Sequence, residues 1–187
     1  PSIPLFLIYN PELVKGMMRP IYYYANSKAW KEDYKFDFAP HDAGRYPLIN
    51  GQRYGHSSID NQMSYEKQMP VEECGNMLIL TYAYYMMSGN KKFLKENFVT
   101  MNIWADYLKK KGVVLDNQLC TDDFAGHSKK NVNLAIKGIM GIACFDRICK
   151  ELDIKRDYDK IAKQYAAELM SVAKTDKEYL PFNVGGE

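Results

Sequence analysis

No two of the four cysteines, Cys74, Cys120, Cys144 and Cys149, stand at the C-x-x-C spacing of a zinc site, so a structural zinc cluster is not expected. Also missing are G-x-S-x-G, the phosphate-cradling G-x-x-x-x-G-K-[ST], G-x-G-x-x-G and H-E-x-x-H. Their absence disfavours serine-elbow hydrolysis, nucleotide binding and zincin chemistry. Excess charge of one sign is scarce: 25 Lys and Arg stand against 23 Asp and Glu, a net +2. The longest basic run, Lys109-Lys110-Lys111, falls near an expected helix C-terminus, where cations offset the helix dipole, so no nucleic-acid or membrane partner is expected. Apolar runs are short as well, Met77–Leu80 being far below spanning length. No signal peptide is recognisable, and the ends at Pro1 and Gly185-Gly186-Glu187 read as domain cuts.

What remains is an ordinary globular composition, with 47% hydrophobic and 26% charged residues in 187, enough for one domain over 1–187 with a sizeable core. Tyrosine is abundant, 15 against 2 Trp. It suits both a cleft for polar, sugar-like or amide ligands and packing between helices. Cys144 and Cys149 share an expected helix at a spacing suited to buried thiols, whereas Cys74 and Cys120 lie near polar motifs and are candidates for a disulfide or for free thiols.

The hydrophobic periodicity predicts five main helices and no competing strands. The first opens at Pro11-Glu12 and fades after Trp30, with Pro20 expected to kink it or end it early. The second runs from Val71 to Met87, is apolar almost all round, and stops at Gly89-Asn90. An amphipathic third follows through Phe93, Trp104 and Leu108. The fourth, about Asn131 to Leu152, again has little polar surface, and the fifth, about Arg156 to Lys174, is amphipathic. Buried helices thus alternate with two-faced ones, as a double ring of antiparallel hairpins requires. Links from inner to outer helix are short, while the two in the other sense are long, about 33–70 and 112–130. Both long loops therefore emerge above the N-termini of the inner helices, at one end of the bundle, where the site is expected.

Three polar stretches converge on that end. One runs from His41 and Asp42 through Arg45, Tyr46, Asn50 and Gln52 to Tyr54. The second holds Glu72, Glu73 and Asn76. The third is Asn117–His127, with Asp122, Asp123 and His127, continued by Asn133 and Lys137. Its apolar Leu119 and Phe124 suggest a loop tucked against the body. Hydrolysis of an amide or acetal needs a proton donor for the leaving group and a base or nucleophile opposite it, which carboxylates in unlike surroundings supply. Glu72 and Glu73 read equally as acids offsetting a helix dipole, Asp122 and Asp123 as turn residues, and His41 as a loop pin or a proton carrier. Adjacent helical residues point about 100° apart, so at most one of the two glutamates is expected to face a cavity squarely. Oxygens in the 116–126 loop could hold calcium, but the EF-hand spacing is missing; no metal and no cofactor are expected.

The stretches APHDAGRYPLINGQ, QMPVEECGNMLIL, WADYLKKKG and NQLCTDDFAGH followed by NVNLAIKGI resemble, in this order, the central helical domain of the glutaminase A family, whose fungal members are secreted glutaminases. Cys74 stands where Ser is expected. The resemblance covers about residues 10–170. It implies an all-α fold of antiparallel hairpins forming part of an (α/α)6 toroid of the six-hairpin glycosidase-like type. It implies hydrolysis of the glutamine side-chain amide to glutamate and ammonia, an extracytoplasmic or secreted location, and a parent protein with a further β-rich domain upstream. Five helices are fewer than half of a twelve-helix ring, so this chain is expected to pack against the remainder and to hold part of the site. The resemblance assigns no catalytic residues; from the residues themselves, water is expected to attack the amide with Asp122 or Asp123 as base, Glu72 or Glu73 to protonate the departing ammonia, and His41, Arg45, Asn76 and Lys137 to hold the charged groups of the substrate. A six-hairpin glycoside hydrolase acting on a saccharide and a non-catalytic helical scaffold are the alternatives.

Overall fold

The computed structural model describes residues 2–33, 35–41, 68–116, 128–175 and 179–185. Within them the chain forms six α-helices: α1 (Ile3–Tyr9), α2 (Pro11–Ala25), α3 (Pro70–Ser88), α4 (Lys91–Lys111), α5 (Val132–Glu151) and α6 (Tyr158–Val172). The described residues contain no strand; an antiparallel bridge joins Asn131 and Asn183. The fold is all-α, as the periodicity predicts, with one helix more than the five expected.

The additional helix is α1, whose seven residues are too few to show a helical period. It contacts both α2 and α3 and is joined to α2 by Asn10 alone. With it the described helices pair as three hairpins, α1–α2, α3–α4 and α5–α6. Where an early end at Pro20 was an open expectation, α2 continues to Ala25. Proline at 20 removes the N–H that would bond the Gly16 carbonyl, but both residues are exposed, so water can take that place. The helix ends instead at Asn26, whose backbone and side-chain N–H groups donate to the Tyr22 carbonyl at 3.1 and 2.8 Å. A single π-helical turn, Ala29–Asp33, follows.

The other boundaries have local causes. Gly89 takes a left-handed φ of 66° and donates its N–H to Tyr85 O, closing α3. Asn90 and Asn131 cap α4 and α5, accepting from the N–H groups of Phe93 and Leu134 at 3.1 and 2.8 Å. Helix α6 has no such local cap; Asp146, buried on α5, accepts from Asp159 N at 3.0 Å and ion-pairs with Lys150 at 2.6 Å. A carboxylate from one helix thus completes the N-terminus of the next. Asp146→Ala is expected to destabilise the fold by about 2 kcal/mol, mainly through the charge-assisted bond, because Lys150 is exposed. Asp146→Asn keeps an acceptor and should recover part of the loss in urea unfolding; equal loss in both variants would point to the ion pair instead.

Helices α3 and α5 form the inner layer and run parallel: Glu72 meets Lys137, Gly75 meets Gly141, and Tyr85 Oη donates to Glu151 at 2.5 Å. Glycines set this close approach, since a Cβ on Gly141 would lie 3.0 Å from Gly75 Cα and 3.0 Å from Leu108 Cδ1. Helix α4 backs both, α6 covers α5, and α2 covers α3. Tyr22 stacks on Trp104 at 5.0 Å, while Phe145 packs edge-on against Tyr158 at 4.9 Å. Tyr22, Tyr24, Tyr84, Tyr107 and Tyr158 are all buried, so the packing role accounts for these tyrosines. The apolar girth of α3 is only partly covered among the described residues: Ile79, Leu80, Tyr82 and Tyr85 are half-buried, and Met86 and Met87 are exposed.

Candidate active site

Both inner helices begin at the same end, and the first turn of α3 is the centre of the polar groups there. Chain entry is constrained: Met69 sits at φ 49°, ψ 53°, a left-handed conformation that disfavours residues with a Cβ by about 1–2 kcal/mol. Pro70 then starts the helix without needing an N–H partner, and Glu72 and Glu73 fall in its first turn. The helical rotation separates them. Glu72, 2% exposed, turns to α5 and receives Lys137 Nζ on Oε1 at 2.6 Å. Glu73 turns the other way and lines a cavity of about 370 Å³. Asn76 lies beside it on the next turn, its Nδ2 3.5 Å from Glu73 Oε2, and Val14, Met17, Ile21 and Leu80 supply apolar wall.

These surroundings treat the two acids differently. Burial pushes the Glu73 carboxyl up to about 7. The His41 charge opposes this most strongly, the neighbouring Glu72 carboxylate adds to it, and Asn76 and Lys137 oppose it more weakly. One acid is therefore held in an ion pair, and its neighbour is poised between its protonated and ionised forms near neutral pH. One glutamate facing the cavity agrees with the 100° geometry expected of adjacent helical positions.

His41 reaches this end on the irregular segment 39–41. Its backbone N–H donates to Gln68 Oε1 at 3.1 Å, and two residues earlier Ala39 N–H donates to Cys74 Sγ at 3.2 Å. Trp30 Nε1 holds the preceding Phe38 carbonyl at 3.0 Å. The disulfide considered between Cys74 and Cys120 is not formed: Cys74 is a free, fully buried thiol, and burial raises its pKa well above the ordinary range. The thiol serves instead as a hydrogen-bond acceptor. Cys144 and Cys149 are free thiols too, as their spacing suggested.

On α5, Lys137 joins the site through Glu72, while Asn133 stands exposed on the first turn. Asp42, Arg45, Tyr46, Asn50, Gln52, Tyr54, Asp122, Asp123 and His127 lie outside the described residues. Gln68, the first residue of the QMPVEECGNMLIL stretch, is not among the expected site residues, because a neutral amide before Met-Pro signals no acid–base role of its own. A larger, open groove of about 1050 Å³ lies elsewhere, between α2 and α4, lined by Lys15, Arg19, Asn26 and Phe93. It brings together no pair of acids, so size does not make it the site. Among the described residues no helix is long and apolar enough to cross a membrane, and no cluster of three metal-ligating side chains occurs.

A family model described as the glutaminase A six helical-hairpin domain matches residues 1–185. The chain is 35% identical over 171 residues to a protein named glutaminase A from Aspergillus oryzae, covering 89% of this chain and 23% of that protein. It is 25% identical to a protein named probable glutaminase from Arthroderma benhamiae, over 84% of this chain and 23% of that protein. The chain thus spans less than a quarter of the length of these curated relatives, 23% of each. No solved structure matches it. Matched along nearly its whole length by that model, and built of helical hairpins as the model's description requires, the chain belongs to the glutaminase A family, within its six helical-hairpin domain.

Proposed function

We propose that this chain supplies the proton-donating half of an amidohydrolase site that cleaves the side-chain amide of L-glutamine to glutamate and ammonia. The observation that carries the reading is the unlike treatment of two adjacent acids, Glu72 paired with Lys137 at 2.6 Å and Glu73 desolvated beside a cavity with its pKa near 7. An acid that keeps its proton near neutrality can give it to a leaving amine, which bound or solvated carboxylates cannot.

In this reading a base, Asp122 or Asp123, removes a proton from water as its oxygen attacks the amide carbon. The C–N bond then breaks as Glu73 protonates the nitrogen, releasing ammonia and the γ-carboxyl of glutamate, and the proton on the base returns to Glu73 through solvent. Glu72 and Lys137 hold one another, so between the two glutamates the proton donor is Glu73. Asn76, next to Glu73 on the cavity wall, is placed to bond the amide. The remainder of the ring is proposed to cover the exposed apolar flanks of α5 (Ile136 and Met140) and of α1 and α2 (Leu5, Ile8, Leu13 and Met17).

The test is ammonia release from L-glutamine by the intact protein that carries this domain, run beside a panel of aryl glycosides. Ammonia without aryl release is expected, and Asp122→Asn combined with Asp123→Asn should lower it at least about 100-fold. Aryl release without ammonia would replace the amidase reading with a glycoside hydrolase.

A further inference from the structure

Gln68 is a buried side chain that the mechanism above does not use. It is 0% exposed, and among the described residues its Nε2 finds no hydrogen-bond partner. An unpaired buried amide N–H costs about 1–3 kcal/mol, so stability alone gives no reason for a glutamine here. The residue that follows, Met69, is in the strained left-handed conformation already described. Two unfavourable features in successive residues need a compensating role, and the one bond the side chain makes shows where to look.

That bond is Oε1 accepting from His41 N at 3.1 Å. The N–H of Ala39, two residues before His41, is held by Cys74 Sγ at 3.2 Å. Gln68 lies just before α3 and Cys74 in its first turns, on either side of Glu72 and Glu73 in the sequence. From the other side, Trp30 Nε1 ties the Phe38 carbonyl, and Phe38 packs on Trp30, Phe36 and Tyr107. The segment is clamped between an aromatic wall and the start of α3, and the clamp reaches His41.

Building on the reading of Glu73 as proton donor, we infer that Gln68 is a positioning residue: its side-chain carbonyl, assisted by the Cys74 thiol, fixes His41 beside Glu73. His41 and Glu73 then act as one proton-handling pair. The described charged groups around Glu73 are His41 from the segment, Glu72 from α3 and Lys137 from α5; the cavity-lining residues of α1 and α2 are apolar, Ile3, Val14, Met17, Met18 and Ile21. Of these, His41 acts most strongly in favour of the Glu73 anion.

The test is the NMR titration of the His41 ring protons in the intact protein, assigned by their loss in His41→Asn. It compares the wild type with Gln68→Met, Cys74→Ala, Cys74→Ser and Glu73→Gln. Methionine matches glutamine in length but cannot accept the His41 N–H, and it removes the unpaired amide, so Gln68→Met is expected to unfold no earlier than the wild type. Its His41 curve should nevertheless shift toward that of Glu73→Gln, while Cys74→Ser, which keeps an acceptor, should follow the wild type more closely than Cys74→Ala. In turnover, Gln68→Met should move the alkaline limb of the pH profile to higher pH, because Glu73 loses its strongest favourable charge. A folded Gln68→Met protein with an unchanged His41 curve would overturn the inference. Should that variant not fold, an unchanged curve in Cys74→Ala would do the same. The titration needs no turnover, so it stands apart from the amidase reading: if the wild type releases no ammonia, the function fails while the positioning of His41 is still measured.

Discussion

Glu73→Gln in the intact protein is expected to lose at least about 100-fold in turnover of L-glutamine while becoming more stable above pH 7. The two effects come from one cause. Burial beside the cavity raises the Glu73 carboxyl from 4.5 to about 7, so the folded state binds this proton more tightly than the unfolded chain does. Stability linked to the group is fully present below the unfolded value, falls as pH rises from about 4.5, and is lost beyond about 7. The folded protein at pH 8 therefore carries a desolvated carboxylate that costs about 3 kcal/mol, a figure set by the size of the shift. Glutamine has the same shape and no charge to desolvate, so the variant should show a flatter stability profile between pH 5 and 8. Urea unfolding at the two pH values measures this directly, and turnover measured on the same samples supplies the other half. Wild-type turnover should fall as pH rises past about 7, as the donor loses its proton. Parallel stability profiles for the two proteins would mean that Glu73 is solvated; a variant with unimpaired turnover would remove it from the reaction.

Much of the arrangement behind that prediction was legible because it follows from local pattern. Helices α3 and α5 carry apolar residues around most of their circumference, and Gly89 and Asn90 mark a stop and a start that need no tertiary information. The long-loop end and the acids in the first turn of α3 follow from the order of buried and two-faced helices. What was not legible depends on contacts between distant residues. Glu72 and Glu73 are equivalent in sequence, and only Lys137, 65 residues away, separates the paired acid from the cavity-facing one. Asp146 reads as one more polar residue of α5 until α6 folds back over it. Gln68 opens the QMPVEECGNMLIL stretch, but nothing local marks its role, since its bond to His41 spans 27 residues. Pro20 shows the converse, a local rule relaxed because its surroundings are exposed to water. The candidate base, Asp122 or Asp123, lies outside the described residues, so its place rests on the sequence reading.

Gly75→Ala is expected to destabilise the fold by about 4 kcal/mol, far more than one methyl group suggests, because it acts on the inner layer and on the Glu72 pair together. A Cβ at Gly75 would lie 2.9 Å from the Lys137 carbonyl oxygen and 2.9 Å from Lys137 Cγ. The side chain can rotate aside, but the carbonyl belongs to the α5 backbone and yields only if the helix moves. On the opposing face Gly141 already stands at the limit, since its own Cβ would be 3.0 Å from Gly75 Cα, so α5 is seated as close to α3 as backbones allow. Moving it carries Lys137 away from Glu72, whose 2% exposed carboxylate then loses a 2.6 Å partner. Crowding alone costs about 1–3 kcal/mol, and stripping a buried acid of its partner adds to it. A double-mutant cycle with Lys137→Met divides the two: if part of the loss runs through the ion pair, Gly75→Ala should cost less in that background. Gly138, across the same interface on α5, supplies the contrast. Its Cβ would meet Val71 Cγ1 at 3.5 Å and Leu108 Cδ2 at 3.7 Å, ordinary contacts, so Gly138→Ala should be neutral or stabilising by up to about 1 kcal/mol through helix propensity. Similar losses at 75 and 138 in urea unfolding would show that helix geometry in general, and not the approach of α3 to α5 at Gly75, governs the inner layer.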